Sequence, residues 1–145
     1  LKRRKIKCEI IPGITSGIGS ATYSGIPLTH RDFASSVVFV TGHEDPKKSH
    51  KAVKWKMLAK SVDTIVIMMG LSRIGVICKN LIEGGLDKKT PVAVIQNGTT
   101  SKHKTISGTV SNISKKVKQE NMKPPCIIII GKVVDLSKII GWKKK

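Results

Sequence analysis

Aromatic and acidic side chains are both scarce in this chain of 145 residues. Tyr, Phe and Trp together make up 3% of it and are scattered, so they do not alternate with lysine as in the stacking platforms of single-stranded nucleic-acid-binding proteins. Only 9 Asp and Glu residues oppose 27 Lys and Arg, which leaves a net charge of +18. Such a charge attracts polyanions, whether a nucleic acid or a small polycarboxylate, although lysines spread over solvated helix faces would give the same total.

Cysteine and histidine are too few and too widely spaced to build a disulfide framework or a metal centre. The cysteines include no Cys-x-x-Cys pair and are odd in number: they are Cys8, Cys78 and Cys126. The histidines include no His-x-x-x-His pair: they are His30, His43, His50 and His103. We therefore predict that the protein binds no metal and that the cysteines are small buried hydrophobic residues.

Long apolar runs are also missing. The longest, Cys126–Ile130, is far shorter than the roughly 20 residues that cross a bilayer. The basic stretch over residues 2–7 is followed by a turn, not by the apolar core of a signal peptide. We expect a cytoplasmic protein without membrane contact. Its length suits one domain, and because it starts at Leu1 within a run of charges, we interpret it as a fragment.

The sequence does contain a regular alternation of strand and helix patterns. Apolar or alternating runs predict strands over 6–11, 36–42, 64–69, 91–96, 104–110 and 126–130, and helical periodicity predicts helices over 14–24, 51–60, 72–83 and 111–119. Nearly continuous apolar strands are typical of sheets that are covered on both faces. The predicted fold is therefore α/β, a three-layer domain with a mixed, mostly parallel sheet in which 36–42 is a central strand.

Small residues at the first predicted helix indicate a place where a ligand can approach the backbone. Thr15, Ser16 and Gly17 would begin this helix, and the unpaired N–H groups of a helix N-terminus attract anionic groups. Thr15 and Ser16 are also ordinary N-cap residues, so a capped helix without a ligand fits the same pattern.

A compact polar cluster follows, in which Thr29, His30 and Arg31 precede Asp32. The Arg31 guanidinium can bind a carboxylate through two parallel hydrogen bonds, and Thr29 and His30 add neutral donors. The alternative is that Arg31 pairs only with Asp32 or another nearby acid.

Glycine follows the end of three predicted strands, in the pairs Pro12-Gly13, Met69-Gly70 and Asn97-Gly98. Ligands of open α/β sheets bind beyond the carboxyl ends of the strands. No nucleophile lies next to a base in this set, which indicates a backbone-lined cleft for a neutral or zwitterionic ligand. The sequence has neither Gly-x-Gly-x-x-Gly nor a P-loop, so a dinucleotide-binding Rossmann domain or an NTPase is disfavoured.

Several of these stretches resemble the uroporphyrinogen-III C-methyltransferases of the tetrapyrrole methylase family, over nearly the whole chain. The matching runs are Ile11-Pro-Gly-Ile-Thr15, Tyr23-Ser-Gly-Ile-Pro-Leu-Thr-His-Arg-Asp32, Val40-Thr-Gly-His43, Met69-Gly-Leu71 and Asn97-Gly-Thr99. The resemblance implies that S-adenosylmethionine methylates two pyrrole-ring carbons of uroporphyrinogen III. The product would be precorrin-2, for siroheme or cobalamin biosynthesis.

The resemblance also implies roles for individual residues. S-adenosylmethionine would contact Thr15, Ser16, Met69 and Gly98, with Ser16 standing where an alanine is expected. The tetrapyrrole substrate would contact Thr29, His30 and Arg31.

Residues 1–145 resemble the C-terminal α/β domain of such an enzyme, with the start of the interdomain cofactor cleft at 11–32. The N-terminal domain, with its proton-transfer residues, is absent, so this chain would hold no catalytic residues and would be inactive alone. Family members pair as homodimers. Two alternatives stay open: a sister methylase that acts on a later corrin precursor, and, less favoured, a basic nucleic-acid-binding domain.

Overall fold

The computed structural model describes residues 1–43 and 53–140. Within these ranges five strands form one sheet: β1 Val37–Thr41, β2 Thr64–Met68, β3 Pro91–Gln96, β4 Lys104–Thr109 and β5 Cys126–Ile130. The α-helices of this part are α1 Ser16–Tyr23, α2 Trp55–Ser61, α3 Ile74–Glu83, α4 Ile113–Gln119 and α5 Ser137–Ile140. Short 3-10 helices occupy Lys2–Arg4, Leu71–Arg73 and Lys132–Leu136.

The sheet has the strand order β1-β2-β5-β3-β4. Strands β1 and β2 are parallel, whereas β5 runs antiparallel to both β2 and β3, and β4 antiparallel to β3. Three strands, β1, β2 and β3, therefore point the same way, and their carboxyl ends share one edge of the sheet. We call this the carboxyl edge.

The α/β class and the mixed sheet are confirmed, but the sheet is not mostly parallel, because only the β1–β2 pairing is parallel. The isoleucine run of β5 is explained by burial on both faces, which produces a continuous apolar run whatever the strand direction. Strand β1 was predicted to be central and lies instead at the edge of the sheet.

Helices cover both faces of the sheet and bury two cores. On one face, α2, α3 and α4 cover Ile128 and Ile130 of β5, and on the other, α1 and the Lys132–Leu136 helix cover Ile127 and Ile129. Each fully buried isoleucine side chain contributes about 1.5–3 kcal/mol of transfer free energy. This arrangement is the predicted three-layer domain.

The strand predicted over 6–11 does not form. Among the described residues no strand lies beside this segment, and Ile10 and Ile11 are 89% and 82% exposed. Alternating polar and apolar residues form a strand only where a neighbouring strand can pair with them. The first regular element after the N-terminal 3-10 helix is therefore α1.

The remaining helices lie close to their predicted positions. Helix α3 begins at Ile74 and not at Ser72, because the Leu71–Arg73 3-10 helix comes first. It ends at Gly84 and Gly85 as predicted, and Gly85 has a φ of +100° that other residues rarely adopt. Part of the helix predicted over 51–60 lies outside the described residues.

Candidate functional site

Glycines lie at the end of each strand that reaches the carboxyl edge. Gly42 follows β1, Gly70 follows β2 by one residue and Gly98 follows β3 by one residue. A Cβ atom on Gly42 would overlap the Gly70 Cα, so the two strand ends touch backbone to backbone. The prediction for Gly13 was wrong, because Gly13 follows no strand. Gly42, which follows β1, is the third glycine at a strand end.

The backbone is unusual at the same edge. Met69, Asn97 and Thr99 have φ angles of 53°, 49° and 69°. Non-glycine residues seldom adopt positive φ, and for the β-branched Thr99 it is a true outlier. Residues held in this way cost about 1–3 kcal/mol each and cluster at ligand-binding sites. Positive φ also occurs at Lys5 and Asn121, so it is the grouping of three such residues at one edge that favours a site there.

Helix α1 presents free amides close to this edge. Thr15 is its N-cap residue, yet within the described structure its side chain makes no capping hydrogen bond. The first N–H groups to bond within the helix are those of Ile18 and Gly19, which donate to the Thr15 carbonyl at 3.0 Å. The amides of Ser16 and Gly17 have no partner within the helix, which holds for the first turn of any helix, so an ordinary helix without a ligand fits this geometry as well.

Two small residues let α1 lie directly on the sheet and its loops. A Cβ atom on Gly17 would lie 2.7 Å from a ring carbon of Phe39, and one on Gly98 would overlap the Ser20 hydroxyl. Packing therefore requires glycine at these positions. Gly19 differs, because a Cβ there would make only ordinary contacts at 3.4 Å and 3.9 Å.

Those contacts show which predicted cofactor residues lie together. A Cβ atom on Gly19 would contact methyl groups of Ile14 and Thr99. Thr15, which follows Ile14, therefore lies close to the loop that contains Gly98 and Thr99. Met69 is at the same edge but on the far side of β5, about 10 Å away across two strand spacings. It is 66% exposed.

Thr29, His30 and Arg31 lie between α1 and β1, in the segment that leads to the amino end of β1. His30 and Ala34 exchange backbone hydrogen bonds of 2.9 Å across a tight turn. Directly after it, Asp63 accepts hydrogen bonds from the Ser35 and Ser36 amides at 2.9 Å and 3.1 Å. These bonds join the amino ends of β1 and β2, so the chain that follows the cluster enters the sheet at the end opposite to the carboxyl edge.

Arg31 is exposed and takes part in no ion pair with any described residue. Asp32 lies instead beside His30, whose Nδ1 is 3.8 Å from an Asp32 carboxylate oxygen and accepts the Asp32 N–H at 3.2 Å. The acid of Asp63 is also occupied, and its serine donors, Ser36 Oγ first, hold the pKa of that carboxyl below its usual value. The alternative, in which Arg31 pairs only with Asp32 or another nearby acid, is therefore not seen among the described residues.

Sequence reasoning missed His103, which ties the turn after β3 to α1. Its Nε2 lies 3.2 Å from Ser24 Oγ and 2.9 Å from Thr105 Oγ1, and its Nδ1 lies 3.4 Å from the Thr99 amide nitrogen. No spacing could have revealed this, because Ser24 and His103 are 79 residues apart.

The rest of the described chain offers neither a metal centre nor a membrane-spanning helix. Across residues 1–43 and 53–140 no group of three His, Cys, Asp or Glu side chains is placed to hold an ion. Nor is any helix in those ranges both long and apolar enough to cross a bilayer.

A family model described as Tetrapyrrole (Corrin/Porphyrin) Methylases matches residues 1–114. This chain belongs to the tetrapyrrole methylase family. The resemblance predicted from the sequence is thereby confirmed.

Individual relatives place the chain within that family. The uroporphyrinogen-III C-methyltransferase of Bacillus subtilis is 46% identical over 142 residues, which are 98% of this chain and 55% of the relative. The siroheme synthase of Pseudoalteromonas atlantica is 43% identical over 98% of this chain but only 30% of its own length. The chain thus spans about half of the first methyltransferase and less than a third of the larger synthase.

A solved structure has the same fold. The uroporphyrin-III C-methyltransferase of Thermus thermophilus, crystallised with S-adenosylhomocysteine, superposes with a TM-score of 0.75 at 28% identity. The match covers 92% of this chain and 54% of that protein.

Proposed function

We propose that this chain is the C-terminal part of an S-adenosylmethionine-dependent methyltransferase that converts uroporphyrinogen III to precorrin-2, for siroheme or cobalamin biosynthesis. The observation that carries the proposal is the carboxyl edge, where glycine follows three strands, left-handed residues follow two of them, and the loop after β3 packs against α1. The Bacillus subtilis relative, 46% identical, is named a uroporphyrinogen-III C-methyltransferase, which supports the substrate and the methyl transfer.

The donor would be held largely by main chain. In this proposal the main chain of Thr15 and Ser16, the strand end at Met69 and the backbone of Gly98 surround S-adenosylmethionine. The positive end of the α1 dipole favours the carboxylate of its methionine part. Replacement of the expected alanine by Ser16 is compatible with this, because the contact needs a small residue and its backbone. The sulfonium methyl group would face the interior of the cleft.

Arg31, with Thr29 and His30, would hold the acceptor. Uroporphyrinogen carries acidic groups around a wide macrocyclic rim, and an exposed guanidinium without an acidic partner is suited to bind one of them. The high net charge would also draw a polycarboxylate toward the protein.

Chemistry requires a ring carbon of the substrate to attack the methyl group in line with the sulfonium, so that S-adenosylhomocysteine leaves. The methylated ring then loses a proton to a base. Positioning would supply most of the acceleration. We assign no proton-transfer residue in this chain, and we propose that it does not turn over alone and that the whole enzyme is a cytoplasmic homodimer.

Calorimetric titration with S-adenosylhomocysteine tests the proposal directly. This chain alone should bind weakly or not at all, whereas a chimera that begins with the first half of the Bacillus subtilis relative should bind and should methylate uroporphyrinogen III. Gly98→Leu in the chimera should abolish binding. Methylation by the isolated chain would refute the proposed division of labour, and a folded chimera that fails to bind the ligand would refute the cofactor site.

The same chimera distinguishes the alternatives. A sister methylase would use a later corrin precursor in preference to uroporphyrinogen III. A nucleic-acid-binding domain would bind duplex or single-stranded DNA with an affinity that falls steeply with salt. Part of the basic charge already has a structural role, since Lys116 Nζ donates to the Ser107 carbonyl at 2.7 Å and Lys104 Nζ donates to Glu120 at 2.9 Å.

A further inference from the structure

Three side chains form a closed hydrogen-bonded triangle at the end of α1. Ser24 Oγ lies 3.2 Å from His103 Nε2 and 3.1 Å from Thr105 Oγ1, and the last two atoms lie 2.9 Å apart. Ser24 is the C-cap residue of α1, Thr105 belongs to β4, and His103 belongs to the turn that connects β3 to β4. The triangle therefore joins the helix of the carboxyl edge to the loop of the carboxyl edge.

The other ring nitrogen reaches the strained part of that loop. The Thr99 N–H donates to His103 Nδ1 at 3.4 Å, while Thr99 itself has a φ of 69°. An amide can only donate, so Nδ1 must accept and the proton of the neutral imidazole must be on Nε2. From Nε2 it can be donated to Ser24 or to Thr105. One imidazole thus supplies an acceptor on one side and a donor on the other.

We propose that His103 is a positioning residue for the cofactor loop over residues 97–100, and this inference rests on the proposed function. The loop holds two residues in left-handed conformations that an unrestrained chain would leave. Internal bonds of the turn, such as Thr100 Oγ1 to the Asn97 carbonyl at 2.8 Å, do not fix it relative to α1. His103 does so, and it thereby sets the direction in which the Gly98 backbone faces.

Protonation provides a test that a purely packing role would not pass. A second proton would be on Nδ1 and would face the Thr99 N–H, so two donors would oppose each other and the loop would be released. The charged residues next to His103 along the chain are Lys102 and Lys104, and Lys104 pairs with Glu120 at 2.9 Å. Groups of these types ordinarily keep one charge state between about pH 7.5 and 5.5.

The experiment compares the 145-residue chain with His103→Ala and His103→Gln. Amide hydrogen exchange of Thr99 and Thr100, followed by NMR, should accelerate at least about fivefold in His103→Ala, the factor expected for one lost hydrogen bond. Glutamine offers an amide acceptor and donor, so His103→Gln should restore slow exchange. It should also remove the loss of protection, measured relative to the intrinsic exchange rate at each pH, that we expect in the wild type on acidification to about pH 5.5. Lys102→Ala, a neighbouring exposed change, serves as the control and should leave exchange unaltered.

Binding is measured separately with S-adenosylhomocysteine on the chimera described above. The His103→Ala chimera should bind at least about fivefold more weakly, and the His103→Gln chimera should bind as the parent does. Unchanged exchange in His103→Ala, or no rescue by glutamine, overturns the positioning role. If exchange behaves as expected but the parent chimera does not bind the ligand, the proposed function fails, and the link between this loop and the cofactor fails with it.

Discussion

Replacing Gly98 with alanine should force α1 off the sheet. The new Cβ would overlap the Ser20 hydroxyl and would lie 2.6 Å from the Ser20 Cβ and 3.1 Å from its Cα. A hydroxyl can rotate away, but the Cβ and Cα belong to the helix itself, so α1 must move by roughly 1 Å or the loop must shift. The collision is with backbone-anchored atoms, which makes relief expensive.

The magnitude follows from two opposing effects. Overpacking of this kind costs about 1–3 kcal/mol, and the loss of glycine's freedom in the unfolded chain returns about 0.4–1 kcal/mol. We therefore expect a net loss of about 1–2 kcal/mol in the free energy of unfolding, measured as a lower urea midpoint at constant slope by circular dichroism. Binding of S-adenosylhomocysteine by the chimera should weaken in parallel, since the displaced loop is the proposed cofactor contact.

A second substitution makes the reasoning falsifiable. Ser20→Gly removes the two nearest atoms, so Gly98→Ala should cost less in that background, with a coupling free energy of about 1 kcal/mol. Gly13→Ala is the matched control, because no atom lies within 4 Å of the added Cβ, and it should change stability by less than about 0.5 kcal/mol. Equal effects of the Gly98 and Gly13 changes, or strict additivity with Ser20→Gly, would refute the packing argument.

Three further predictions concern other parts of the chain. Because the folded pKa of Asp63 is lowered, its stabilising contribution is present above the pKa of the unfolded carboxyl and is lost as the pH falls through the folded value. Urea midpoints of Asp63→Asn and wild type should thus differ near neutral pH and converge in acid; a constant difference would contradict this. Burial raises the pKa of the thiols of Cys78 and Cys126 to about 11, whereas Cys8 is exposed, so a disulfide reagent should titrate one thiol rapidly and the other two only on unfolding. Arg31→Ala in the chimera should weaken tetrapyrrole binding at least about tenfold with an unaltered urea midpoint, and Arg31→Lys should restore only part of it; an equal loss of cofactor affinity would place Arg31 elsewhere in the site.

Local patterns predicted the elements well where one signal dominates. Pro91–Gln96 and Cys126–Ile130 were placed to the residue, because each is an unbroken apolar run between turn-forming residues. The segment over 6–11 has an equally good alternating pattern and is no strand, since the pattern says nothing about whether a pairing partner exists. Strand direction failed for the same reason. A buried run such as β5 has no feature that distinguishes parallel from antiparallel neighbours.

The site was predictable at the level of backbone and not at the level of side-chain partners. Gly98 and Met69 could be placed at one edge, because strands that alternate with helices tend to share a direction. That His103 would bridge Ser24 and Thr99 depends on tertiary distances that no spacing encodes. The position of Arg31 relative to Gly98 could not be predicted either, because it depends on the path of the chain between α1 and β1.

Strand β5 is the last strand in the described part of the chain, yet it lies in the middle of the sheet. Within the described sheet, strand pairing connects the β1–β2 pair to the β3–β4 hairpin only through β5. During synthesis on the ribosome, the two halves must therefore wait, each with an unsatisfied inner edge, until residue 130 has emerged. Such late, long-range pairing slows folding and leaves a nascent chain open to association with its neighbours, which makes the translation of these last residues the step at which a chaperone would matter most.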